Sequence, residues 1–188
     1  MKVMKVMKVI IFVLSSFLSI FCYAINDSAY RDKIQKTLDN QPPLCLGETQ
    51  WPVSIDNGSS VWINAKMESL VDAGLVKSNM DGHKKTWSLT LLGSKEFKRN
   101  GDFCYGKIIV KNIENVTYIN EKKGFVIFNY YIKSLPKWAK NKSVRVAYSY
   151  LDNIVMGINV AKYQIEFERL SSGVIEIIGE PNQLDLLY

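Results

Sequence analysis

Lysines at positions 2, 5 and 8 precede an apolar run from Val9 to Phe21 that only serines interrupt, and the run ends in Cys22-Tyr23-Ala24. A short basic segment, an apolar stretch of about 13 residues and small residues before a cleavage point make up a secretory signal, and the stretch falls short of the roughly 20 apolar residues that span a bilayer. Residues 1–24 are therefore expected to be a signal peptide cleaved after Ala24, leaving 25–188 to fold in the periplasm or as a secreted protein. Phe21 stands where a lipid-attachment signal requires a small residue, so Cys22 is not read as a lipidation site. Membrane association is expected only through the signal segment before cleavage, with Lys2, Lys5 and Lys8 holding the N-terminus inside.

Cleavage changes two counts. Losing those three lysines lowers the formal net charge from +6 to +3, which removes the basic excess a nucleic-acid binder would carry. The cysteines fall from three to two, Cys45 and Cys104, and an even pair in an oxidising compartment points to a disulfide. Redox chemistry would call for a close Cys-x-x-Cys pair, and these two are far apart in sequence.

The apolar pattern changes period near Asn100-Gly101-Asp102, helical before and alternating after, which divides the chain into an expected domain at 25–101 and another at 102–188. Asp27 or Ser28 caps a first helix with Tyr30, Ile34 and Leu38 on one face, ended by Gln41-Pro42-Pro43. A second helix is expected from Ser60 to Ala73, with Trp62, Met67, Leu70 and Val71 in one apolar stripe and Gly74 as its stop. Leu75 to Asn79 and Lys85 to Leu91 flank Asp81-Gly82 as a hairpin, and a short helix is expected from Ser94 to Lys98.

Leu70-Val71-Asp72-Ala73-Gly74-Leu75-Val76, followed by Trp87-Ser88-Leu89-Thr90-Leu91-Leu92-Gly93, resembles the end of a winged-helix domain. The resemblance covers about 30 residues and implies a helix leading into a two-stranded wing. Gly74 lets the chain leave the helix, and Thr90 is placed to cap the turn that follows. DNA reading is not expected, because the helix that would enter a groove offers Lys66 against Glu68 and Asp72. The wing-tip residues His83, Lys84 and Lys85 could touch phosphate, but they read as a solvated turn.

Four strands are expected in the second half, over Gly106–Ile113, Phe125–Ile132, Tyr163–Glu168 and Val174–Ile178, with Ser172-Gly173 turning the last pair. Phe125–Ile132 is apolar on both faces, as a central strand would be, whereas Tyr163–Glu168 alternates. Pro136 suits a helix start, and Ser143 to Asn153 reads as one helix crossing the sheet. The fold class is α+β, a small winged-helix-like unit followed by a mainly antiparallel sheet with one crossing helix. Phe103-Cys104-Tyr105-Gly106-Lys107 and Leu135-Pro136-Lys137-Trp138-Ala139 are similar to segments of exported proteins of Gram-negative bacteria, a resemblance that implies an envelope location and no activity. In a eukaryotic secretory route Asn57, Asn115 and Asn141 would be glycosylation acceptors.

No catalytic residues are expected. His83 is the single histidine and lies in a turn, so no triad can be assembled around it, and with Cys45 and Cys104 oxidised no metal shell can form. Glu166 and Glu168 lie about 7 Å apart on one strand face, within the range of paired carboxylates, but on the side that alternation turns to water. There is no Gly-rich phosphate loop and no cofactor is indicated. Trp51 reads as packing over the disulfide. The remaining candidates are aromatic: Tyr130, Tyr131, Trp138, Tyr148 and Tyr150, with Lys137 and Lys140 beside them, as a surface for a partner. The expected function is non-enzymatic, that of an accessory or inhibitor binding another envelope or secreted protein, with no nucleic acid as partner. A membrane-tethered nucleic-acid-binding regulator and a carrier of an apolar small molecule are the alternatives.

Overall fold

The computed structural model describes residues 27–56 and 58–184, so the signal segment expected at 1–24 lies outside the described residues. The fold is α+β, with five α-helices, one 3-10 turn and antiparallel strand pairs among the described residues. Contacts divide it into two compact units that interleave along the chain, in place of the single boundary near Asp102 that the change of period predicts. No helix among the described residues is long and apolar enough to cross a membrane.

Among the described residues, the first unit takes 27–40, Val110–Asn129 and Lys162–Leu184. A helix, α1, occupies 27–39 and buries Tyr30, Ile34 and Leu38, the face its spacing predicts. The sheet runs β6 (Ile108–Tyr118), β7 (Lys123–Ile132), β8 (Lys162–Arg169), β9 (Ile175–Gln183) in that spatial order. Tyr163, Ile165 and Phe167 of β8 are buried while Glu166 is exposed, in the phase the alternation predicts. Tyr30 meets Phe167 edge-on at 5.0 Å, and Tyr118 meets the same ring at 5.2 Å. Gln35 of α1 accepts a hydrogen bond from the Val110 amide of β6 at 2.9 Å. Strand β6 reaches five residues beyond the expected Ile113, through a polar stretch that alternation alone did not mark.

The second unit takes Gln41–Ile109 and Tyr130–Ala161. Two short strands, β1 (Leu44–Cys45) and β5 (Cys104–Gly106), pair antiparallel. A three-stranded sheet has the order β2 (Val53–Asp56), β4 (Lys84–Leu89), β3 (Val76–Asp81), in which β2 adds to the expected hairpin. Helix α2 (Val61–Asp72) starts at Ser60, whose hydroxyl accepts from the Ile63 amide, and ends ahead of Gly74, whose φ of 73° is the left-handed exit expected there. Thr90 caps α3 (Leu91–Phe97) by accepting from the Gly93 amide at 3.0 Å. Gly93 is irreplaceable for a steric reason, since a Cβ there would stand 1.8 Å from the Leu75 carbonyl oxygen.

After the 3-10 turn Trp138–Lys140 the structure departs from the expected single helix over Ser143–Asn153. Two helices form instead, α4 (Lys142–Ala147) and α5 (Ser149–Met156), broken at Tyr148 with φ −122° and ψ 83°. Tyr148 leaves helical geometry while its ring stays buried, and the break resets the phase of the residues that follow. Asn141 caps α4 by accepting from the Ser143 amide at 2.8 Å. The core of this unit includes Met67, Leu70, Leu75, Trp87, Phe103 and Leu151.

Candidate functional site

Of the aromatic residues expected at the surface, Tyr130, Trp138 and Tyr148 are buried, while Tyr131 and Tyr150 are exposed. Tyr130 donates its hydroxyl to the Ile154 carbonyl at 2.6 Å, and the absence of a side chain at Gly157 makes room for it. Trp138 meets Phe103 and Tyr105 edge-on at 6.1 and 6.4 Å. Its indole nitrogen is buried without a hydrogen-bond partner among the described residues. Lys137 and Lys140 are exposed, as is Tyr150. His83 sits at the exposed tip of the β3–β4 hairpin, and no three His, Cys, Asp or Glu side chains cluster as metal ligands among the described residues.

Cys45 and Cys104 form the expected disulfide, which joins the paired strands β1 and β5. Trp51 packs edge-on against Phe103, beside Cys104, at 5.7 Å. Asp102, two residues before the disulfide, is a buried carboxylate that accepts from three backbone amides: Gly47 at 2.8 Å, Glu48 at 3.0 Å and Phe103 at 2.6 Å. Disulfide and carboxylate together hold the 45–48 segment against 102–104.

One solvent-facing groove of the second unit, of about 430 Å³, lies between α2 and α4. Trp62 and Ala65 of α2 form one wall and Val146 and Ala147 of α4 the other, with Trp62 79% and Val146 77% exposed. The far end is polar, lined by Asp72, Lys142 and Ser143, and the Asn141 amide there reaches the Asp72 carbonyl at 3.5 Å. The lining is apolar toward Trp62 and Val146 and polar toward Asp72 and Lys142, with Lys66, Glu68 and Ser69 also bordering it.

Lys66 borders this groove and also a smaller cavity of about 190 Å³ lined by Cys45, Leu46, Tyr105 and Tyr148. Its ammonium lies 3.5 Å from Glu48 and 5.1 Å from the centre of the Tyr148 ring, and Tyr148 donates its hydroxyl to Glu48 at 3.1 Å. Burial pushes the Tyr148 phenol far above its ordinary value, and the negative charges of Glu48 and Asp102 push the same way. In the first unit burial, with the Tyr118 hydroxyl at 2.7 Å, raises Tyr30 to about 12, against the opposing pull of Arg169. Each phenol holds its proton more tightly folded than unfolded, so the stability it lends is complete below the unfolded value near 10 and is lost as pH rises through the folded value. Denaturant midpoints are expected to fall from about pH 10 upward, and Tyr148→Phe is expected to flatten that fall; a wild-type midpoint that stays level to about pH 11.5 would contradict the burial of these phenols.

Of the groove residues, Trp62 is the one whose expected place, in a stripe with Met67, Leu70 and Val71, differs from the observed one. Trp62 precedes Met67 by five residues, about 140° around the helix, so it cannot share the Met67–Leu70 stripe and turns toward α4 instead. Val146 belongs to α4 alone once the helix ends at Ala147. No family model, curated protein or solved structure matches this chain.

Proposed function

We propose that the chain is exported and acts outside the cytoplasm as a non-enzymatic accessory or inhibitor protein, binding another envelope or secreted protein through the α2–α4 groove. The observation that carries this reading is the exposure of Trp62 and Val146 on facing walls of one apolar groove, because large apolar side chains left in water on a well-packed unit mark an interaction surface. The disulfide supports an oxidising compartment. The order of α2, hairpin and capped α3 supports a winged-helix-like unit used here for protein contact, with the helix face turned to α4 and so closed to a nucleic-acid groove. The partner this groove fits is a segment with one aliphatic or aromatic anchor for the Trp62 end and a polar or charged neighbour facing Lys142 and Asp72.

Replacing Val146 with a photo-crosslinking amino acid in cells that export the protein tests this. One saturable adduct is expected in the periplasmic fraction, and Trp62→Ala is expected to abolish it. The same change should shift the unfolding free energy by no more than about 0.5 kcal/mol, as befits an exposed residue. No adduct, or an adduct indifferent to Trp62→Ala, would overturn the assignment.

A further inference from the structure

The open edges of the sheets differ in how they are guarded. Along β6 the Val110 amide is taken by Gln35, and β9 is interrupted by Gly179, with φ 71°, and by Pro181, which has no N–H to offer. Strand β2 has four residues and β1 two. Strand β3 is six residues long, regular, and exposed from Lys77 to Asp81.

The hydrogen-bond phase of β3 follows from its hairpin. Asp81 and Lys84 flank a two-residue turn and pair, as do Asn79 with Thr86 and Lys77 with Ser88, and the Thr90 amide continues the series onto the Leu75 carbonyl at 3.0 Å. The odd-numbered residues therefore spend their backbone groups on β4. Val76, Ser78 and Met80 direct theirs to the open edge. On the face opposite buried Val76, Lys77, Asn79 and Asp81 follow one another.

We infer that β3 pairs with β3 of a second copy of this chain, antiparallel, about a twofold axis at Asn79. That register is allowed by the backbone phase, since it sets Ser78 opposite Met80 of the second copy so that their free amides and carbonyls exchange bonds, while Asn79 faces Asn79 as a non-hydrogen-bonded pair. It also sets Lys77 opposite Asp81 twice, by symmetry. Neither Lys77 nor Asp81 has an ion-pair partner among the described residues, so both are available. The same edge shifted by two residues would place Lys77 opposite Asn79 and leave both charges without partners, which selects the Asn79-centred register. The edge is short and polar, and the resulting dimer is weak and dependent on ionic strength.

The test uses the protein purified after export, as processed by the cell. Sedimentation across a concentration series is expected to show a monomer–dimer equilibrium, weakened about tenfold by Lys77→Glu and restored by Lys77→Glu with Asp81→Lys. Asn79→Cys is expected to form a disulfide-linked dimer on mild oxidation, because non-hydrogen-bonded partners stand about 4.5 Å apart at Cα, within disulfide reach. Lys77→Cys should not, since its symmetry mate is four residues away, about 14 Å. A monomer at all concentrations, or equal cross-linking of the two cysteine variants, would overturn the pairing.

Discussion

Replacing Cys45 and Cys104 together with alanine is expected to lower the unfolding free energy by about 4 kcal/mol, the chain entropy released by opening a loop of about 60 residues. For a domain of ordinary stability, roughly 5–15 kcal/mol, that is a large part of the whole. The bridge ties two strands of only two and three residues, which on their own contribute few hydrogen bonds, so the β1–β5 ladder is the structure that depends on it most. Equilibrium unfolding in urea, compared between the wild-type protein and the alanine pair and repeated on reduced wild type, measures the effect. Both reduced forms should agree. A loss below about 1 kcal/mol would mean that the 45–48 segment is held by its other contacts alone.

What could be read from the sequence depended on whether one local rule governed the residue. Tyr30, Ile34 and Leu38 at helical spacing, Tyr163, Ile165 and Phe167 at strand spacing and Gly74 at a helix exit each follow from a single repeat or a single backbone requirement, and each is found as expected, whereas α3 starts at Leu91, three residues before the expected Ser94. The failures have a different origin. Tyr130, Trp138 and Tyr148 carry both a large apolar surface and a polar tip, so composition cannot decide between core and surface; burial is set by what packs over them, such as the space left at Gly157. The break at Tyr148 has no proline or glycine to announce it. Strands β1 and β2 are too short to show a period, and β2 exists because β4 offers it an edge. The α2–α4 groove was half legible: the angular offset of Trp62 from Met67 was present in the spacing, but the facing wall required knowing where α4 ends.

Asp102→Ala is the substitution expected to approach the disulfide in effect. Its carboxylate takes three amide hydrogens in a place closed to water, and removing it leaves Gly47, Glu48 and Phe103 without their acceptor, a cost of roughly 3–5 kcal/mol if the segment stays in place. Asp102→Asn keeps one acceptor oxygen but replaces the other with an N–H donor aimed at an amide, and it removes the charge that strengthens all three bonds. Its cost should be smaller than that of alanine but above about 1 kcal/mol. Because Asp102 and the Cys45–Cys104 bridge clasp the same two stretches of chain, their effects should not add. Once either clasp is open the 45–48 segment can move toward water and hydrate its amides, so removing the second should cost at least 1 kcal/mol less than it does in the intact protein, roughly the size of coupling found between groups that share a contact. A double-mutant cycle by urea unfolding, with wild type, Asp102→Ala, the alanine pair and the combination, measures this directly. Strict additivity would show that the carboxylate and the disulfide hold separate parts of the fold, and the joint between 45–48 and 102–104 would then have to be treated as two independent contacts.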